Sequence, residues 1–450
     1  MNHLLRLMRY ARPYARMVAL AFVCMLSVLV LGLLPPLILR SIVDRAIPEQ
    51  SLNLLTWLVA AYIATNMGLG LANYGQWYSF EVVGQNIARD IQQDMHDHLQ
   101  RLHLEYFRRQ KTGDLMSRVS EDIHSIQEFL GWGFILLFSN FLSITITAGV
   151  MLWLDWRLAV ATFLAFPIMA VVVLRFDKKI RPIWHRVREE LGKLTTVLQE
   201  NISGVRTVKA FARESFEIGT FRTRNTEFFE TNIERGLIEA NTQPFIEFLS
   251  SLSIVSLLGF GGYMVVNGSV SVGTLIAFQG FVWNMIWPIR MLGMLLNLLE
   301  QAMAAAPRLL EVLDAVPEIA DAEGSRAAGS LAGAIRFNNV SFAFSDGDSE
   351  VLTDIDFSVE PGQILAIVGG TGSGKSTLVG LIPRFFDPCN GCVLIDETDI
   401  RDLTLSSLRR QIGMVLQDTV LFSASVRDNI ASTFNHVFKF AYVSREAVFL

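Results

Sequence analysis

Six apolar stretches dominate this chain of 450 residues, each long enough to cross a bilayer, which takes about 20 helical residues. They run from Met17 to Leu39, Leu52 to Tyr74, Leu130 to Leu154, Arg157 to Leu174, Phe245 to Val266 and Val272 to Leu296. A backbone surrounded by lipid has no water to bond, so such segments are predicted to be helices. A hydrophobic fraction of 51% points the same way, away from an ordinary soluble protein. The first stretch is too long for a signal-peptide core and has no small-residue cleavage pattern, so it reads as a retained anchor. The net charge of −5 is small, and basic residues cluster in particular loops, which gives no reason to expect a nucleic-acid partner. Cys24 lies in an apolar span. Cys389 and Cys392 have CxxC spacing without a second pair, so a turn is the plainer reading than a metal or redox site.

Arginine and lysine placement sets the expected orientation. Arg6, Arg9, Arg12 and Arg16 precede the first span; Arg89, Arg101, Arg108, Arg109, Lys111 and Arg118 lie between the second and third; the connection from the fourth to the fifth is richer still. The alternate connections hold only Arg40, Arg45 and Arg157, so both termini are expected in the cytosol. Trp153 and Trp156 fall where spans three and four meet the outer interface. The long cytosolic connections read as helical continuations of the spans. Ile87, Ile91, Met95, Leu99 and Leu102 recur every three or four residues with polar residues between them, and Val187, Leu191, Leu194, Leu198 and Ile202 behave alike.

Near the carboxyl end, Gly369, Gly370, Thr371, Gly372, Ser373, Gly374, Lys375, Ser376 and Thr377 fit the phosphate-loop pattern GxxxxGK[ST]. The apolar run Ile364 to Val368 before it reads as a buried strand feeding a helix. Glycines let backbone amides converge on phosphate oxygens, Lys375 neutralises their charge, and the Ser376 hydroxyl is placed to ligate Mg²⁺. Nucleotide binding on a membrane chain points to transport.

Six spans, two long intracellular extensions and a carboxyl-terminal phosphate loop resemble a half-transporter of the ABC exporter type, similar to lipid A and multidrug exporters. KTGDLMSRVSEDI (Lys111 to Ile123) and ENISGVRTVKAFARE (Glu200 to Glu214) resemble that family's intracellular segments. WPIRMLG (Trp287 to Gly293) and AAPRLLEVLD (Ala305 to Asp314) resemble its sixth span and the exit toward the ATPase, and the likeness covers about residues 1–431. The expected fold class is an all-α six-helix membrane domain with long cytosolic extensions (1–315), a small-residue linker (316–333) and an incomplete α/β P-loop ATPase domain (334–431), followed by a non-family tail (432–450). The resemblance implies a multi-pass protein of a bacterial inner membrane and a homodimer or heterodimer whose spans enclose a cavity for a hydrophobic or amphipathic small molecule or lipid. It implies ATP and Mg as cofactors, and coupling helices near Thr112 to Ser117 and Gly204 to Phe211 that dock on the ATPase.

Phe344 occupies the place where the family has an adenine-stacking tyrosine. The alternative is a core aromatic, because Phe342 and Phe344 share a strand face. Ile412 to Leu416 reads as another buried strand, and VLQDTVLF (Val415 to Phe422) resembles the family's Q-loop, which implies that Gln417 reaches Mg²⁺ and the attacking water. Cys392 to Glu397 mimics a Walker B strand, but it lies between the phosphate loop and the Q-loop, where the family has a hairpin.

No LSGGQ-like signature, true Walker B strand or switch histidine occurs, and the likeness stops after Ala431, as a frameshift or early stop would leave it. No catalytic set is therefore complete in this chain, which leaves two expectations open. One is ATP-driven export of a lipid or hydrophobic compound, completed by a partner or by further sequence; the other is a non-hydrolysing nucleotide-binding membrane protein. In the membrane part, Glu247 and Arg290 either pair in the inner leaflet or meet an anionic substrate. Asn140, Gln279 and Asn284 either join helices or bind ligand, and Pro35, Pro36, Pro167 and Pro288 mark expected kinks.

Overall fold

The computed structural model describes residues 2–345, 350–415 and 421–434. It forms two units. One comprises Met1–Gln92 with Ser120–Leu310, and the other Gln93–Val119 with Glu311–Leu450.

The apolar stretches become six helices, the bulk of which lies in the first unit: His3–Ala46, Leu52–Leu99, Thr112–Leu154, Trp156–Ser203, Glu214–Val266 and Val272–Leu313. All greatly exceed the length a bilayer requires, because the amphipathic connections continue them. The longest has 53 residues, about 80 Å at 1.5 Å per residue. Ile87, Ile91 and Met95 are fully buried, as their spacing predicts, whereas Leu191, Leu198 and Ile202 of the second stripe are exposed.

The apolar core lies among spans four, five and six, where Leu158, Met169, Leu257, Phe278, Phe281 and Val282 pack together. Span six crosses span one closely: a Cβ added at Gly280 would lie 2.8 Å from Pro36 Cγ, so only glycine lets the two approach this far. Polar groups close the helix ends. Asp155 caps span four by accepting the backbone N–H of Arg157 and Leu158 at 2.9 and 3.0 Å. Asp44 accepts the backbone N–H of Gly273 at 2.8 Å and the hydroxyl of Ser271 at the start of span six.

Of the expected kinks, Pro167 coincides with a real break. The helix of span four is interrupted at Leu164, and proline cannot donate to the Phe163 carbonyl four residues back. Ser253 and Ser256 of span five donate to the Thr162 and Ala161 carbonyls beside this break. The helix runs on through Pro35 and Pro36 to Ser41, then turns as a π-helix over Ile42–Ala46. Arg290 and Glu247 face one another at 3.9 Å, and Arg290 Nη2 donates to Ser250 Oγ at 3.0 Å, which favours pairing over a free cation. Asn284 Nδ2 donates to the Gly32 carbonyl at 3.2 Å and so joins spans six and one.

The second unit contains a four-stranded antiparallel sheet of β1 (Ile335–Phe342), β2 (Leu352–Val359), β3 (Asn390–Ile395) and β4 (Thr398–Asp399), in the order β2-β1-β3-β4. Phe337 on β1 pairs across to Phe357 on β2 with ring centroids 4.7 Å apart. Val340, Leu352, Val393 and Ile395 bury the sheet face against Leu378, Leu381 and Ile382 of the helix Lys375–Leu381 and its following turn.

Two expected strands do not form among the described residues. Ile364–Val368 has no strand hydrogen bonding, and Ile364 and Val368 are 79% and 93% exposed. Residues 412–415 are likewise irregular. An apolar parallel strand is stable only between paired neighbours and covered faces, and among the described residues no strand pairs with either run.

The Walker B mimic is a hairpin, as its place in the chain implies. Asp396 and Glu397 hold φ of +49° and +61° in the turn between β3 and β4. The Asp396 carboxylate accepts the backbone N–H of Ala332, Gly333 and Ala334 at 2.6, 3.0 and 2.9 Å, so it anchors the linker. The linker is tied down further where Ala328 N–H donates to Ser407 Oγ and Leu331 N–H to Gln411 Oε1.

Charged acceptors of this kind contribute about 1.5–3 kcal/mol. Asp396→Ala is therefore expected to speed hydrogen exchange at Ala332–Ala334 about tenfold or more; unchanged exchange there would show the anchor to be idle.

Candidate nucleotide-binding site

The phosphate loop is shaped by positions only glycine can fill. A Cβ at Gly369 would lie 2.6 Å from Ser373 Oγ. Gly372 and Gly374 hold φ of +83° and +82°, and a Cβ at Gly374 would meet Leu352 Cδ2 at 2.8 Å and the Val351 carbonyl at 3.0 Å. The loop is thereby seated on the first residues of β2, whose Leu352 is buried in the core. Ser373 N–H closes it onto the Gly370 carbonyl at 3.3 Å.

Lys375 begins the helix, and its ammonium curls back to donate to the Gly369 and Gly370 carbonyls at 3.0 and 2.8 Å. Lys375, Ser376, Thr377 and Phe344 line one cavity of about 750 Å³, with Leu378 and Leu381 turned the other way into the core. A cation bonded to two glycine carbonyls, with hydroxyls beside it, has the residue types that fit a triphosphate with its metal.

Phe344 packs as the core-aromatic reading expects. Its ring meets Phe342 edge-on at 4.9 Å and Phe386 at 5.4 Å, as a core aromatic would. One face is covered by the Arg108 guanidinium, 4.0 Å from the ring centroid. Gln417 lies outside the described residues.

The segment between spans two and three packs on this part of the molecule through Leu104–Arg109. Leu104 lines the same cavity. Glu105 accepts the backbone N–H of Ser345 at 3.1 Å and the Ser345 hydroxyl, and also pairs with Arg109 at 2.9 Å. Arg118 pairs with Glu311 at 3.0 Å, and His98 Nε2 lies 2.8 Å from the Ala315 carbonyl. Sequence reasoning passed over Glu105 and Arg108 because a charged hexapeptide, LEYFRR, reads as a solvated helix face; the flanking Tyr106 and Phe107 were the available signal. In the second segment Val205–Ala210 does form a short helix, in the other unit, with Val205 exposed on it.

Burial pushes the Glu105 carboxyl up, but the Ser345 hydrogen bonds and the nearby Arg109 and Arg108 charges outweigh burial and hold it below the usual glutamate range. A depressed docked value means that the contact is at full strength above the undocked pKa, about 4.3, and is lost as pH falls through the docked one. The protection of the Ser345 amide, its exchange rate taken relative to the intrinsic rate at each pH, is therefore expected to fall on acidification below about pH 4.3, and Glu105→Gln should remove that loss. A protection factor that stays constant through this range in the wild-type protein would contradict this.

Comparison with known proteins agrees with the geometry. Residues 18–289 match the ABC transporter transmembrane region, and residues 352–447 match the ABC transporter family, a stretch that takes in residues 432–447, set apart above as a tail. An ABC transporter ATP-binding protein of Bacillus subtilis is 34% identical over 95% of this chain and 73% of its own length. An ATP-dependent lipid A-core flippase of Syntrophus aciditrophicus is 35% identical over 95% of this chain and 70% of its own. A putative multidrug export ATP-binding/permease protein of Bacillus subtilis is 31% identical over 95% and 74%. With six membrane-crossing helices and a glycine-built phosphate loop on one chain, this protein belongs to the ABC transporter family.

Proposed function

We propose that the chain is one half of a dimeric exporter that moves a lipid or a hydrophobic or amphipathic compound across a bacterial inner membrane, driven by ATP, with both termini in the cytosol. The observation that carries this reading is the joint occurrence of the Lys375 loop and the Glu105–Ser345 contact in one unit, with Leu104 of the helix Leu104–Arg109 lining the same cavity as Lys375. Relatives named as a lipid A-core flippase and a multidrug export protein support the substrate class.

ATP supplies a phosphoanhydride whose hydrolysis drives transport, and Mg²⁺ neutralises its charge. On this chain, the amides of Gly369–Gly374 and Lys375 would hold the phosphates, Phe344 the adenine, and Ser376 with Gln417 the metal. A water-polarising glutamate and a signature motif do not occur in these 450 residues. Turnover accordingly draws them from a second chain or from adjoining sequence.

A second reading is favoured by one observation: the single Walker B-like run is occupied as the Asp396 hairpin anchor. On that reading the chain binds nucleotide without hydrolysing it. Protein in nanodiscs separates the two. ATP turnover abolished by Lys375→Ala supports export, nucleotide crosslinking at Lys375 without turnover supports the second, and no crosslinking near Lys375 overturns both.

If adenine stacks on Phe344, it replaces Arg108. A partly exposed cation–π contact contributes about 0.5–1 kcal/mol, so Arg108→Ala should tighten nucleotide binding about two- to fivefold. Equal or weaker binding by that variant would remove Phe344 from the adenine site.

A further inference from the structure

A second cavity, of about 730 Å³, lies wholly within the membrane unit and is bounded by spans one, two, three and six. Its walls are ordered by helical periodicity. On span three, Ser139, Ser143 and Thr147 follow one another at four-residue intervals, with Asn140 beside them. On span six, Gln279, Trp283 and Trp287 form a matching row. Among the described residues that line the cavity none is charged; of the cations next to its lining in sequence, Arg40 pairs with Asp44 at 3.6 Å and Arg290 is engaged by Glu247 and Ser250.

Asn140 is the informative member. It is 7% exposed, and its Nδ2 has no hydrogen-bond partner among the described residues. A buried donor left unmade costs about 1–3 kcal/mol, so any acceptor brought within its reach is rewarded. Asn284, by contrast, already spends its amide on the Gly32 carbonyl. The indoles of Trp283 and Trp287, 57% and 63% exposed, add N–H donors and flat apolar faces.

We propose that this cavity binds the headgroup of an uncharged amphiphile rich in oxygen acceptors, such as a neutral glycolipid, and selects against anionic headgroups. Amides, hydroxyls and indole N–H groups satisfy hydroxyl, ether and carbonyl oxygens. A phosphate or carboxylate entering the same space loses its hydration and meets no cation in return. The inference rests on the export reading, because it names the compound class to be moved, but it concerns binding without nucleotide, so the two can fail separately.

The test uses the full chain in phosphatidylcholine nanodiscs without nucleotide, with a monoglucosyl diacylglycerol carrying a diazirine in its acyl chain. Label is expected on peptides of Phe134–Leu154 and Val272–Leu313. Unlabelled monoglucosyl diacylglycerol should compete about tenfold better than phosphatidylglycerol with the same acyl chains, the factor that one hydrogen bond to Asn140 supplies. Asn140→Leu, which keeps the volume and removes the donor, should bring the two competitors close to parity. Equal or better competition by phosphatidylglycerol in the wild-type protein, or label confined to other helices, overturns the proposal without recourse to a variant. A folded Asn140→Leu that keeps the wild-type preference overturns the part assigned to Asn140.

Discussion

A peptide group in hydrocarbon must find its hydrogen-bond partner within the protein, and nearly every feature of the membrane unit follows from that requirement. It makes the six apolar stretches helical. It also explains several polar residues at their ends and breaks, where the helical ladder leaves groups unpaired. Ser253 and Ser256 donate to carbonyls beside the Leu164 break, Asp155 caps span four across a one-residue connection, and Asp44 caps span six from the end of span one. These residues are repairs to the backbone, and a reading that takes every intramembrane polar group as a substrate contact would misplace them.

In the second unit the controlling constraint is different. A small antiparallel sheet buries one face against the phosphate-loop helix, and the loop takes its shape from contact with β2 through Gly374. Asp396 fastens the linker to the sheet, and Glu105 fastens the helix Leu104–Arg109 to the residue after Phe344. Both carboxylates accept several backbone or hydroxyl donors at once, a stronger form of contact than the isolated surface ion pairs elsewhere in the chain.

Features with short-range causes were legible in the sequence: spans from apolar length, helical extensions from the Ile87–Met95 period, the phosphate loop from its glycines, and the Asp396 hairpin from its place in the chain. What the sequence obscured depends on partners distant in the chain. Ile364–Val368 has strand composition, but its conformation is decided by neighbouring strands, which no local pattern reports. Leu104–Arg109 looks solvated until Ser345 and Phe344, more than two hundred residues later, are placed beside it. Asn140 and Asn284 are the same residue type in the same environment, yet one amide is spent on a neighbouring helix and the other is left unmade. Composition cannot separate them.

The two cations near the proposed nucleotide site are both engaged within the chain, and their present partners differ in kind. Lys375 donates to two neutral carbonyls, so exchanging them for phosphate oxygens replaces ordinary hydrogen bonds with charge-assisted ones, roughly twice as strong. Arg108 rests on an aromatic face, and exchanging it for a stacked base replaces one contact of about 1 kcal/mol with another of similar size. On this reading affinity comes from the phosphate end, and the base end is close to energetic balance. Near balance is the condition under which a small ligand moves a protein element, because displacement of Arg108 releases a residue of the same short helix that Glu105 holds to Ser345. The proposed base site is then better suited to signalling occupancy to the helix Leu104–Arg109 than to adding affinity.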